Sequence, residues 1–263
     1  QAGFLGSHVG LAELTFDTAG HRVVNRRVRL IPADAAVPDD EVLKRRFTAL
    51  LAESRKELDR KIGSVSGEFL SASSIPGQSA VQTLIARATA EASGATVVFH
   101  GALTRATLRT GTITMRDLWR IVQYENRIVL LHLTPDELRG ILEENYAWLE
   151  TGDFRGVLGV TYDVDANRPV GHRVGNVVVT NPNWKGNPER IAVAVNSFDA
   201  ASAGDRFRAL RAAFDCPECR AIETTNETRA VVADYLTRHS PLAPDVEKGP
   251  RTIPAMSADR VAR

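Results

Sequence analysis

Three short stretches combine residue types at spacings that chemistry can use. In Phe99-His100-Gly101-Ala102-Leu103-Thr104-Arg105 an apolar run gives way to small residues and then to an arginine. A small-residue turn lets a ligand approach the backbone, and a guanidinium offers a bidentate fork to a phosphate or carboxylate. The same residues also describe an ordinary turn with a solvated arginine, because one Gly–Arg pairing is a weak motif. In Asn196-Ser197-Phe198-Asp199-Ala200-Ala201-Ser202-Ala203-Gly204-Asp205-Arg206-Phe207 the small residues leave room for a ligand. There Phe198 can stack on a base and Asp205 can accept hydrogen bonds from hydroxyls or amines. Asp205 or Ser202 would serve equally as a helix cap. The third stretch, Cys216-Pro217-Glu218-Cys219, is a single CxxC with neither a second CxxC nor a His pair to close a tetrahedral zinc site. Without a thioredoxin-like βαβ context it reads as a local disulfide in an exported protein or as two idle thiols. Tyr124, taken alone, is a packing residue.

The composition excludes several classes. The chain has 263 residues, 43% of them apolar and 25% charged, with 33 basic against 32 acidic side chains and a net charge of +1. That apolar content is too high for a disordered tail, and no run of about 18 apolar residues could span a bilayer. Near-neutral charge gives no surface for a nucleic-acid polymer. The 6 histidines are scattered, with no pair at i, i+4 or HxH spacing, so no metal site is expected in this chain. Gln1 opens without a charged n-region or a long apolar h-region, which is expected of a processed or truncated chain and leaves its compartment open.

These residues need elements to position them. Residues 9–16 and 21–31 alternate around a turn at 17–20 and predict a β-hairpin, whose basic strand (Arg22, Arg26, Arg27, Arg29) could form no core alone. The apolar steps Leu43, Phe47, Leu50/Leu51, Leu58 and Ile62 predict one amphipathic helix over 41–62. Further on, helices are expected at 78–93 and 115–122, the latter capped by Thr114 with Asp117. Another begins at Thr134-Pro135-Asp136-Glu137 and runs through Leu149, with two more near 206–214 and 227–238. Strands are expected at 95–99, 127–133 and 191–196, and a hairpin at 157–165 and 174–180. The tail after Leu242 is expected to be mobile. The mixture predicts an α+β fold.

The order of these islands resembles the C-terminal substrate-binding domain of the 5′-nucleotidase / UDP-sugar hydrolase / 2′,3′-cyclic-nucleotide phosphodiesterase family. His100 to Arg105 falls where that family carries Asn-Gly-Gly-Gly-Ile-Arg, and Gly111-Thr112-Ile113-Thr114 with Asp117-Leu118 resembles its G-x-I-T-x-x-D-L. Gln123-Tyr124-Glu125-Asn126 stands for its Pro-Phe-x-Asn, and Phe154 to Gly159 for its F-L-Q-V-S-G strand. Asn196 to Phe207 resembles its aromatic…Gly-Gly-Asp-Gly-Phe loop. Gly3 to Gly10 resembles the last strands of the family's metallophosphoesterase domain.

The resemblance implies mixed sheets with packed helices, preceded by a β-hairpin and a long linker helix. It implies residues 1–32 as the trailing hairpin of a metallophosphoesterase domain, 33–64 as the linker helix, 65–242 as the substrate-binding domain and 243–263 as the tail. Tyr124 and Phe198 would clamp a base, Arg105 would reach the phosphate or ribose, and Asp205 the ribose hydroxyls. His100 would contact the substrate in place of Asn, and Gly159 would line the base pocket. Two divalent metal ions would belong to an upstream domain and no catalytic residue to this chain, in a periplasmic or extracellular nucleotide phosphohydrolase. The family's E-x-N-x-G-N-L-x-A-D helix is replaced by Gln78 to Arg87, without its acids and Asn residues. A non-catalytic binding or scaffold module with a drifted pocket is therefore the alternative.

Overall fold

A computed structural model of the chain describes residues 6–73, 77–101, 104–149, 151, 153–181, 184, 190–247 and 249–253. The chain divides into two compact units, Gln1–Lys56 and Glu57–Arg263. In the first, β1 (His8–Asp17) and β2 (Arg22–Pro32) pair antiparallel, as their alternation predicts. The Asp17 carboxylate closes the turn by accepting from the Ala19 and Gly20 amides at 3.0 and 3.1 Å. Helix α1 (Glu41–Leu58) starts where Asp40 accepts from the Val42 and Leu43 amides. It stops four residues earlier than its apolar period suggests. The Arg60 amide closes a turn on the Glu57 carbonyl, and Ile62, now 3% exposed, belongs to a strand. No α1 residue is buried, and every residue of β2 is exposed.

The second unit continues with β3 (Lys61–Val65), α2 (Ala80–Ser93), β4 (Val97–His100), β5 (Gly111–Thr114), α3 (Met115–Ile121), β6 (Arg127–Leu133) and α4 (Pro135–Tyr146). Then come β7 (Gly156–Leu158), β8 (Val160–Asp165), β9 (Val174–Val179), β10 (Ile191–Asn196), α5 (Ser197–Ala200) and α6 (Arg208–Asp215). After a 3₁₀ turn at Pro217–Cys219 follow β11 (Ile222–Glu227), α7 (Thr228–His239) and β12 (Arg251–Ile253). Both capping boxes form as the sequence predicts, Thr114 with Asp117 and Thr134 with Glu137. The fold is α+β, with mixed sheets and packed helices.

A five-stranded sheet, β11-β6-β10-β4-β7, organises the unit. Strand β10 runs parallel to β4 and antiparallel to β6, and β7 runs antiparallel to β4. Alternate side chains feed two cores. Val98, Ile128 and Ala194 pack under α2 and α7, whereas Val97, Phe99, Val129, Leu131, Val193 and Val195 pack against α4, β8 and α6. Burial on both faces explains why β4 and β10 read as continuous apolar runs.

Two further expectations change. The single strand predicted over 157–165 is split at Gly159 into β7 and β8, which join different sheets. Gly159 has φ +85°, and a Cβ there would lie 2.1 Å from the Thr96 carbonyl oxygen, so the corner requires glycine. The segment after Leu242, expected to be mobile, is held where it is described. Asp245 pairs with Arg87, the Glu247 amide donates to Thr83 Oγ1 at 2.9 Å, and β12 pairs parallel with β8. Residues 254–263 of that tail lie outside the described residues.

Candidate functional site

The strand directions gather most of the singled-out residues at one edge of the five-stranded sheet. Strands β4 and β10 end there, at His100 and Asn196, while β6 and β7 begin there, at Arg127 and Gly156. The Arg127 amide donates to Ser197 Oγ at 3.1 Å and ties the start of β6 to the start of α5. Tyr124 lies just before β6, and Phe198 is the second residue of α5. Both rings are open to solvent, 60% and 44% exposed. Arg105, also exposed, follows Thr104, whose hydroxyl donates to the Arg120 carbonyl at 2.9 Å near the end of α3. That bond ties the residue before Arg105 to Arg120 in α3, four residues before Tyr124. Ala102 and Leu103 of the same motif lie outside the described residues.

The Tyr124 loop is fixed by a residue that the sequence did not single out. Arg229, at the start of α7 and 5% exposed, donates from Nε to the Val122 carbonyl at 3.0 Å and from Nη2 to the Gln123 carbonyl at 3.3 Å. It also pairs with Glu125, and its guanidinium lies 3.3 Å from the centroid of the Trp119 ring. Such a clamp orders the loop before any ligand arrives.

Beneath the edge lies a buried polar network, equally unforeseen. Arg155 and Asp199 are 4% and 1% exposed and form a bidentate pair, Nε–Oδ2 2.9 Å and Nη2–Oδ1 2.8 Å. Asn196 Nδ2 donates to Asp199 Oδ2 at 2.7 Å, and the Arg155 Nη1 donates to the Asp153 carbonyl at 2.7 Å. Asn145, fully buried on α4, holds the Arg155 backbone by two reciprocal 2.8 Å bonds. One sequence signal pointed here. Arg155 stands where the F-L-Q-V-S-G strand has Leu, and Asp199 is a second charge in an apolar stretch.

His100 lies close enough to this ion pair to feel both charges, and it is buried rather than set in an open pocket. It is 4% exposed, its Nδ1 has no hydrogen-bond partner among the described residues, and it borders a void of only about 10 Å³. Burial lowers its pKa to about 4; Asp199 opposes the shift and Arg155 adds to it. The imidazole is therefore neutral and buried in this structure, whereas the resemblance gives it a contact with the substrate.

Asp205 sits in the 201–206 loop, exposed, with φ +73°. Its carboxylate is paired with Arg208, and the Ala203 amide donates to the Phe198 carbonyl at 2.9 Å, which folds the loop back onto α5. Gly159 is not brought to this group. It abuts Thr96 at the start of β4, the opposite edge of the sheet from His100. A cleft of about 500 Å³ at that opposite edge, lined by Thr96, Leu158 and Asn181, was not anticipated. Its Arg87 is paired with Asp245, and its Glu91 with Arg238 and His239. Cys216 and Cys219 are free thiols, not the disulfide that was one expectation.

The comparisons with known proteins agree with one another. The family model described as "5'-nucleotidase, C-terminal domain" matches residues 61–212. The trifunctional nucleotide phosphoesterase protein YfkN of Bacillus subtilis is 23% identical over 221 residues, 79% of this chain and 15% of that protein. The 5′-nucleotidase precursor of Thermus thermophilus superposes with a TM-score of 0.67 at 23% identity, over 95% of this chain and 51% of that one. The NAD nucleotidase NadN of Haemophilus influenzae superposes with a TM-score of 0.66 at 17% identity, over 82% and 42%. This chain thus spans about half the length of those structures and far less of YfkN. Among the described residues no helix is long and apolar enough to cross a membrane. With a family match over more than half its length and the matching fold, the chain belongs to the 5′-nucleotidase C-terminal domain family.

Proposed function

We propose that this chain is the substrate-binding part of a periplasmic or extracellular two-metal phosphohydrolase acting on a nucleotide or nucleoside-type molecule. The observation that supports it is the pair of exposed rings, Tyr124 and Phe198, rising from neighbouring strand ends, with the residue before Arg105 tied to the end of α3. In this reading the rings sandwich a base without regard to its identity, Arg105 meets the phosphate or ribose, and Asp205 exchanges Arg208 for ribose hydroxyls. The substrate contact and the base-pocket position that the resemblance gives His100 and Gly159 have no such support, since His100 is buried beside the ion pair and Gly159 lies against Thr96 at the opposite sheet edge. Residues 1–32 and 33–64 are then the trailing hairpin and linker helix of an upstream metallophosphoesterase domain. Their exposed apolar residues, among them Val9, Phe16, Val28, Phe47 and Leu50, suit a surface that such a domain covers.

In such an enzyme two divalent ions supply the activated water and neutralise phosphoryl charge. The residues here do not fit that pair. Among the described residues one cluster, Glu137 with Cys216 and Cys219, has three ligand atoms within reach of one ion; it is thiol-rich, lacks histidine and adjoins the opposite end of β6 from Tyr124. The ions are therefore assigned to the upstream domain.

Calorimetric titration of the chain with AMP, adenosine and UDP-sugars tests the proposal. Tyr124→Ala and Phe198→Ala should each weaken binding about tenfold or more, as lost base stacking does. The isolated chain should show no metal-dependent phosphatase activity. The helix at Gln78 to Arg87, which lacks the acids and Asn residues of the family's pattern, favours a second reading, a non-catalytic module whose pocket has drifted. Binding that is absent, or indifferent to both substitutions, selects that reading.

A further inference from the structure

We propose that Cys216, Cys219 and Glu137 form a zinc site, three protein ligands with the fourth position open to water. The CxxC alone supplies two sulfurs; the fold brings a third donor from 82 residues away. Cys219 Sγ lies 3.8 Å from Glu137 Oε1, and the three ligand atoms all lie within 4.8 Å of one another. Ligands on one tetrahedral zinc, with Zn–S about 2.3 Å and Zn–O about 2.1 Å, stand about 3.5–3.8 Å apart. The cluster needs only a small contraction to meet that geometry.

Three further features suit an ion. The carboxylate is already oriented, since Glu137 Oε2 accepts from the Thr134 amide at 2.7 Å in the α4 capping box and leaves Oε1 toward the sulfurs. The charge is also largely compensated. Two thiolates and the Glu137 carboxylate carry −3, and Glu218 Oε2 is a further acid 3.3 Å from Cys216 Sγ; zinc supplies +2, and Arg190 a positive charge 3.4 Å off Glu137 Oε2 and 3.9 Å off Cys219 Sγ. Finally, a cavity of about 300 Å³ lined by Gly140, Ile141, Ala209 and Ala213 adjoins all three ligands and gives water a path to the fourth position. Binding breaks two S–H bonds, forms two Zn–S bonds and releases two protons to solvent, with no electron transfer. The ion would tie the turn after α6 to the first turn of α4, apart from the edge that carries Tyr124 and Phe198.

The test uses the reduced full chain and Co²⁺ as a spectroscopic probe, followed by displacement with Zn²⁺. One equivalent of cobalt should give a thiolate-to-metal charge-transfer band and the visible bands of a four-coordinate ion. Zinc titrated in buffers of different ionisation enthalpy should release about two protons per ion at neutral pH. Excess zinc at about 100 times Kd should raise the melting temperature by roughly 5–10 °C. Cys216→Ser and Cys219→Ser should each weaken binding by roughly 100-fold or more, because a hydroxyl replaces a thiolate ligand. Glu137→Gln, which keeps the capping box, should weaken it about tenfold. Absence of the charge-transfer band, or equal affinity in Glu137→Gln, would overturn the site. So would a Cys216–Cys219 disulfide that persists in millimolar dithiol, because the sulfurs would then be a redox pair.

Discussion

Arg155 and Asp199 are each a charge taken out of water, tolerable only because each satisfies the other and Asn196 and Asp153 take the remaining bonds. Removing one partner strands the second. Asp199→Ala should cost about 3–5 kcal/mol in urea denaturation with an unchanged m-value. Arg155→Leu combined with Asp199→Leu should recover most of that loss, because a buried ion pair replaced by packed apolar groups is often neutral or better. The sequence displayed both charges but not their pairing, which depends on the β7 start and α5 meeting across the sheet edge. Arg229 was hidden for the same reason: its partners Val122, Gln123 and Glu125 belong to a loop far away in sequence.

At the scale of elements, the corner at Gly159 decides how two sheets are connected. Gly159→Ala combines a left-handed backbone with a Cβ driven into the Thr96 carbonyl, and should lower stability by more than about 2 kcal/mol in thermal melts. Gly171 has the similar φ of +87° but open space around it, so Gly171→Ala should cost only about 1 kcal/mol. The difference between the two substitutions isolates the close approach from the backbone conformation. Local signals predicted what depends on local chemistry. Thr114, Thr134 and Pro135 marked two helix starts, and the apolar runs of β6 and β10 gave their strand bounds. Elements whose reason is tertiary were not foreseen. Strands β3 and β5 exist by pairing with each other, and β12 by pairing with β8.

For the whole molecule, His100 makes acid stability a reporter of the buried network. Its folded pKa of about 4 lies below the ordinary histidine value of about 6.5, so below pH 6.5 the unfolded chain binds the extra proton. The contribution is fully present above pH 6.5 and is lost as pH falls toward 4, by up to about 3 kcal/mol. Stability measured by urea denaturation across that window should fall in the wild type relative to His100→Asn, which removes the titrating group. The two units differ sharply at this scale. Glu57–Arg263 carries both cores, whereas in the first unit β2 exposes every residue.

Periodicity, caps and motif order in the sequence determined the α+β class, the family and the loops that carry Tyr124, Arg105, Phe198 and Asp205. Those features are local, and their physics acts within a few residues. Only the tertiary structure decided which of them meet. It placed Tyr124 and Phe198 at one sheet edge, tied Thr104, the residue before Arg105, to the end of α3, buried His100 beneath the edge, sent Gly159 to the opposite edge and set Glu137 beside the cysteine pair. Strand direction and register made those choices, because a strand carries residues at its two ends to opposite edges of the sheet whatever their chemistry.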